Sequence, residues 1–183
     1  MNTLRLENIN LHAPYKVWQD VENKSLYMFE TEYGLKYDIS FMPDNSFIRS
    51  GAFQFCINVE EGGRSPRDEK LQKTIVAIVE EFFESNGNNV MLYLCETGDG
   101  KQKFRNRLFL GWFNTYAHRD RYVVRSAEGK MEGIDNFAAL FIRLTNPQID
   151  DILEEFNEIT SILFDPSENN MDLQERPIAI GET

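Results

Sequence analysis

Long apolar runs are missing from this chain. Nothing approaches the roughly 20 consecutive apolar residues of a membrane span, and the opening MNTLRLENINLHAPYKVW has none of the apolar core of a secretory signal. A cytoplasmic address is the resulting expectation. Cysteine and histidine are scarce, at two each. Cys56 and Cys95 each sit in an apolar, strand-like run and read as reduced core thiols. No disulfide framework and no zinc-ligand set is available. His12 and His118 are too isolated to build a metal site or a histidine dyad by spacing, so no metal and no cofactor is expected. Net positive charge is lacking too. At -11 the chain is a poor general binder of nucleic acid or anionic membranes.

What is present suits a globular domain. There are 183 residues, 42% hydrophobic and 13% aromatic, enough for one core. Residues 1–25 are mixed and polar, with Tyr15 and Trp18 as anchors, and are expected to be loose or to form a short edge element. Tyr37, Ile39 and Phe41 alternate with polar residues, and Tyr33-Gly34 supplies a turn, so 27–42 reads as a β-hairpin. FQFCINV (53–59) reads as a third strand. Ser65-Pro66-Arg67-Asp68 reads as a helix start, with Ser65 as cap and Pro66 in the first position. Leu71, Ile75, Ile78, Val79 and Phe82 follow at helical spacing, and Gly87 marks the stop. Val90–Cys95 reads as a buried strand, Tyr122–Ser126 and Phe137–Leu144 as two more. A last helix begins at Asn146-Pro147 and ends at Asp165-Pro166. The expected fold is a single α+β domain over 26–166, a mainly antiparallel sheet with about three helices packed on it. The tail 167–183 is expected to be disordered.

Chemistry concentrates in YLCETGDGKQKFRNR (93–107). A Walker loop would need glycine where Cys95 stands and Ser or Thr where Gln102 stands. A phosphatase-type cysteine loop would need arginine where Lys101 stands, and lysine cannot grip a phosphate bidentately. A helix cap fits better, with Asp99 and Gln102 spaced as a capping box. Phe104, Leu108, Trp112 and Thr115/Tyr116 then make one face. The cap leaves the cations unexplained. Lys101, Lys103 and Arg105 fall in the first turns, where the helix dipole disfavours them. Arg105 also falls between Trp112 and Tyr116, inside the apolar face, where a guanidinium needs a partner. Glu80, Glu81, Glu84, Glu96 and Asp99 are the internal candidates, and a bound anion is the external one.

These residues resemble an uncharacterised bacterial family, one of the domains of unknown function. The matching pieces are Tyr27-x-Phe29-x-Thr31-x-x-Gly34-x-x-Tyr37-x-Ile39-x-Phe41, the helix with Thr74-Ile75 and Phe82-Phe83, and Tyr93-x-Cys95 leading through Asp99-Gly100-Lys101-Gln102 to Arg105-x-Arg107-Leu108-Phe109 and Trp112-Phe113. The resemblance covers roughly 27–143. It implies a small α+β domain and supplies no catalytic residues.

Charge points the same way. Residues 101–130 hold eight Lys or Arg against Asp120 and Glu128, a local +6 that leaves -17 elsewhere. Such asymmetry can mark a binding face, and equally the basic half of an internally paired surface. The leading expectation is a non-enzymatic binding or adaptor domain. Its basic centre, Lys101, Lys103, Arg105 and Arg107, would engage an acidic protein segment or a small anion. One alternative is a small enzyme or nucleotide-binding protein using the 95–107 loop. Another is an acidic inhibitor or immunity-type protein using the negative remainder.

Overall fold

Strand residues alternate between two separate apolar cores, one on each side of a single sheet. The computed structural model describes residues 3–59, 67–95, 102–131 and 134–164. The order is α1 (Leu6–His12), β1 (Trp18–Gln19), β2 (Tyr27–Glu30), β3 (Lys36–Asp44), β4 (Ala52–Val59), α2 (Glu69–Ser85), β5 (Val90–Leu94), α3 (Gln102–Asn114), β6 (Tyr122–Met131), β7 (Ile134–Arg143) and α4 (Ile149–Leu163). A 3-10 turn at Arg119–Arg121 leads into β6. The seven strands lie in the order β1-β2-β3-β4-β5-β7-β6. Only β4 and β5 pair in parallel, and α2 is the crossover between them. This is the expected α+β architecture, with four helices where about three were anticipated.

The extra helix is α1, in the segment expected to be loose. Its seven residues have no side-chain cap and bury only Ile9, so nothing local announces it. Tertiary contacts hold it. The Glu81 carboxylate, 4% exposed, accepts from Arg5 N, Arg5 Nε at 2.9 Å and Asn8 Nδ2 at 3.0 Å. Tyr27 Oη accepts from Leu4 N, and Thr74 Oγ1 from Tyr15 N. Tyr15 is buried on Phe29, whereas Trp18 stays 37% exposed on the edge strand.

Other elements begin where the backbone finds its best partners. The hairpin turns at Gly34, whose φ of 74° suits glycine. Helix α2 starts later than expected. Asp68, not Ser65, is its N-cap and accepts from Lys70 N and Leu71 N. Tyr15 Oη also donates to Asp68, which fixes the cap from a distance. Ser65 and Pro66 lie outside the described residues, as does the tail 167–183. The helix stops at Ser85, one residue before the Asn86 cap, rather than at Gly87. Both strands of the last hairpin run longer than expected, over ten residues each. Helix α4 begins at Ile149, with Asn146 Oδ1 accepting from Gln148 N just before it.

Period-two alternation assigns the faces. Met91, Tyr93, Phe137, Ala139 and Phe141 join the core under α1 and α2. Val90, Leu92, Ala138, Leu140 and Ile142 join the core under α4. Phe82, fully buried, stacks on Phe41 at 4.1 Å between centroids and meets Phe83 and Phe53 edge-on.

Two outcomes follow. Phe82→Ala is expected to cost about 3–5 kcal/mol in urea unfolding, against about 0.5 kcal/mol or less for Leu11→Ala at an exposed site. The second concerns Glu81. Burial would raise its carboxyl, but the hydrogen bonds from Asn8 and Arg5 and the Arg5 charge outweigh it and hold the group below its ordinary value. A lowered carboxyl stabilises the fold above its unfolded pKa and loses that contribution as pH falls through the folded one. Glu81→Gln is therefore expected to be less stable than wild type at neutral pH. The gap should narrow as pH falls below the ordinary glutamate value of 4.5, as read by chemical denaturation across pH.

Candidate functional site

Helix α3 divides into two arcs. At about 100° per residue, Lys103, Phe104, Arg107 and Leu108 share one side, and all four are exposed. Arg105, Phe109, Trp112, Phe113 and, just past the helix end, Tyr116 share the other, and all are half-buried. The apolar face expected from Phe104, Leu108, Trp112 and Tyr116 is therefore corrected. Phe104 is 66% and Leu108 40% exposed. Phe109 sets the rotation, because its ring lies 4.2 Å from Tyr93, 5.3 Å from Phe55 and 5.4 Å from Phe141. Phe113 adds an edge-on contact with Phe141.

The predicted basic centre is split by this rotation. Lys103 and Arg107 point outward beside Phe104 and Leu108. Arg105 turns inward, as its position on the helix implied, and its charge reaches the Tyr93 and Cys95 side chains. Lys101, Asp99 and Glu96 lie outside the described residues, and Gln102 is the first helical residue. The proposed Asp99–Gln102 capping box therefore lies beyond what is described. The α2 candidates for pairing Arg105 have other partners. Glu81 takes Arg5, Glu84 takes Arg143, and Glu80 takes the Tyr116 hydroxyl. Arg119 and Arg121 are exposed on the 3-10 turn, where Arg119 donates to Asn114 O.

Cys95 sits at the end of β5 and is 6% exposed, with Sγ 3.0 Å from Tyr93 Oη. Burial pushes its thiol up, and the Tyr93 hydrogen bond and the Arg105 charge pull against that only in part. Burial, then the Cys95 contact, raises the Tyr93 phenol as well. A protonated, covered thiol is the reverse of an activated nucleophile. Among the described residues, no group of three or more His, Cys, Asp or Glu converges on a metal-sized site, and no helix is long and apolar enough to cross a membrane.

Sequence reasoning missed a cavity. Between α2, α3 and the sheet lies a space of about 50 Å³ walled by Phe83, Met91, Phe109, Trp112, Phe113 and Phe141. Val76 and Val79 close it on the α2 side. Glu80, Tyr116 and Tyr122 also line it, yet the surface it presents is entirely apolar. Burial first, then the Glu80 hydrogen bond, raises the Tyr116 phenol. Burial also raises Tyr122, opposed by Arg143. Arg143 is held charged because its Glu84 hydrogen bond and the nearby Tyr122 outweigh the cost of its burial. The only sequence signal was the aromatic density of 104–116 together with Glu80 and Glu84 one turn apart on α2. Neither shows a cavity until the elements are placed.

Fold and site together define an α+β domain with a cationic helix laid over an aromatic cavity. The chain belongs to the family of unknown function DUF6169, whose model matches residues 67–158, just over half of its 183 residues. The matched span takes in the Thr74-Ile75 and Phe82-Phe83 helix and the Cys95–Phe113 stretch, and the hairpin at 27–41 precedes it. No curated protein and no solved structure matches the chain.

Cys95 is expected to resist thiol reagents in native buffer near neutral pH and to react fully once guanidinium unfolds the chain. Labelling of folded protein at the rate of a free thiol, located to Cys95 by mass spectrometry, would contradict the burial described.

Proposed function

We propose that this domain is a non-enzymatic binding module whose outer α3 arc takes an acidic segment of a partner protein. The observation that carries it is the exposure, side by side, of Phe104, Leu108, Lys103 and Arg107. A monomeric surface helix usually turns its large apolar residues to the core. Here the sheet claims the opposite arc, and two large apolar side chains remain outside between two cations. Such a surface is matched by a segment bearing carboxylates flanking apolar residues.

Charge supports the choice of partner. The outer arc is positive within a chain of -11. A polyanion such as nucleic acid would meet the surrounding negative field, whereas a short acidic segment need contact only the arc. Gly111 lies on the same side, and a Cβ built there meets nothing within 4 Å. That leaves a flat place beside Leu108 for a partner backbone. The rival reading, an enzyme using Cys95, is disfavoured by a thiol kept buried and protonated.

A fluorescent synthetic peptide with Glu and Leu at helical spacing tests the reading by anisotropy. The double variant Lys103→Glu/Arg107→Glu is expected to weaken binding by about tenfold or more at low salt. Wild-type affinity should fall as salt rises. Phe104→Ala should weaken binding with little change in the salt dependence. Equal affinity for wild type and a folded double variant would remove this surface as the binding site.

A further inference from the structure

The outer arc of α3 is matched by carboxylates and apolar carbon at helical spacing, and this chain carries such a surface itself. Helix α4, Ile149–Leu163, contains no Lys or Arg. At about 100° per residue, Asp151, Glu154, Glu158 and Ile162 fall on one stripe, and all four are exposed. Ile162 is 77% exposed. Arg49 lies on the flank of the stripe, 3.0 Å from the Glu155 carboxylate and 3.9 Å from that of Glu158.

The stripe and the arc match in spacing. Residues four apart stand about 6 Å apart along a helix axis. Lys103 and Arg107 are four apart, and so are Glu154 and Glu158. With the two helices side by side and pointing the same way, Glu154 meets Lys103 and Glu158 meets Arg107. One step further, Ile162 meets Gly111. A Cβ built at Gly111 touches nothing within 4 Å, so that spot has room for an isoleucine beside Leu108. In this register no like charges face each other among the described residues.

Within one molecule the two helices are kept apart by the sheet. Helix α3 packs on the core shared with α1 and α2, and α4 on the core of the other face. Contact between arc and stripe therefore joins two copies. The same placement makes the contact heterologous, because the two surfaces look in opposite directions and one pair of molecules cannot form it twice. Such a contact repeats head to tail rather than closing at a two-fold dimer.

We propose that the acidic partner of the α3 arc is a second copy of this chain, presenting its α4 stripe, so that copies stack head to tail. This rests on the partner reading above and names the partner. A single helix pair is a small interface, so the dissociation constant is expected on the order of 0.1–1 mM. At about 0.15 M salt the screening length is about 8 Å, which damps the repulsion between copies of charge -11 and leaves the contact pairs in force.

Translational diffusion of the full chain, read by NMR across that concentration range, tests the proposal. Wild type is expected to slow progressively as concentration rises, with no plateau at the dimer. Lys103→Glu/Arg107→Glu and Glu154→Lys/Glu158→Lys should each weaken association about tenfold or more. The second brings the net charge from -11 to -7, so general repulsion alone would predict the opposite. All four changes in one chain reverse both signs of the pairing and should restore association. The four sites are exposed, where substitutions leave the fold standing. The peptide assay separates this inference from the reading beneath it, because Glu154→Lys/Glu158→Lys keeps its α3 arc and should bind the acidic peptide as wild type does. Wild type that stays monomeric at about 1 mM while binding the peptide overturns the second copy alone, and failure of both removes the arc reading with it. Association that survives either double variant, or that the four changes fail to restore, also overturns the proposal.

Discussion

The stacking of Phe82 on Phe41 seats α2 on the sheet, and every other functional feature is referred to that seat. Helix α2 is amphipathic, but it is not polar on its remaining sides in any ordinary sense. Thr74 and Glu81 are buried and capture the N-terminal segment. Val76, Val79 and Phe83 wall the cavity, and Glu80 and Glu84 bond Tyr116 and Arg143. A shift of α2 along its axis would unsettle α1, the cavity and the β7 end together. Close-packed aromatic contacts resist such shifts, because a small gap already forfeits much of the dispersion attraction.

Helix α3 is held differently. None of its described residues is fully buried, and its contacts with the sheet run mainly through Phe109 and Phe113. Two rings on one arc are enough to set its rotation and too few to exclude a cavity beside them. The same rotation pushes Phe104 and Leu108 into solvent and brings Arg105 in beside Tyr93 and Cys95. The exposed outer arc and the inner cavity are therefore two consequences of one packing choice.

Much of the fold was legible in the sequence because its signals are local. The 27–42 hairpin, the 53–59 strand, α2, the β5 run and α4 each carry their own periodicity or turn chemistry. Helix α1 was not legible, since seven uncapped residues are held by Glu81, some 75 positions away. The start of α2 was misread because Ser65-Pro66 and Asp68 are both sound caps locally, and the Tyr15 contact favours Asp68. In the candidate site, the inward position of Arg105 followed from helical spacing alone. The exposure of Phe104 and Leu108 did not, because a wheel with apolar residues over most of its turn does not say which part the sheet will claim.

Composition and pattern by themselves determined the class of this protein: an acidic α+β domain with a basic helix after the Val90–Cys95 strand. They could do so because hydrophobic period and charge balance are sums over neighbours along the chain. Tertiary structure alone decided which arc of α3 faces out, that the cavity exists, and that Glu80 meets the Tyr116 hydroxyl. Those depend on the distance between groups far apart in sequence, and packing rather than propensity sets that distance.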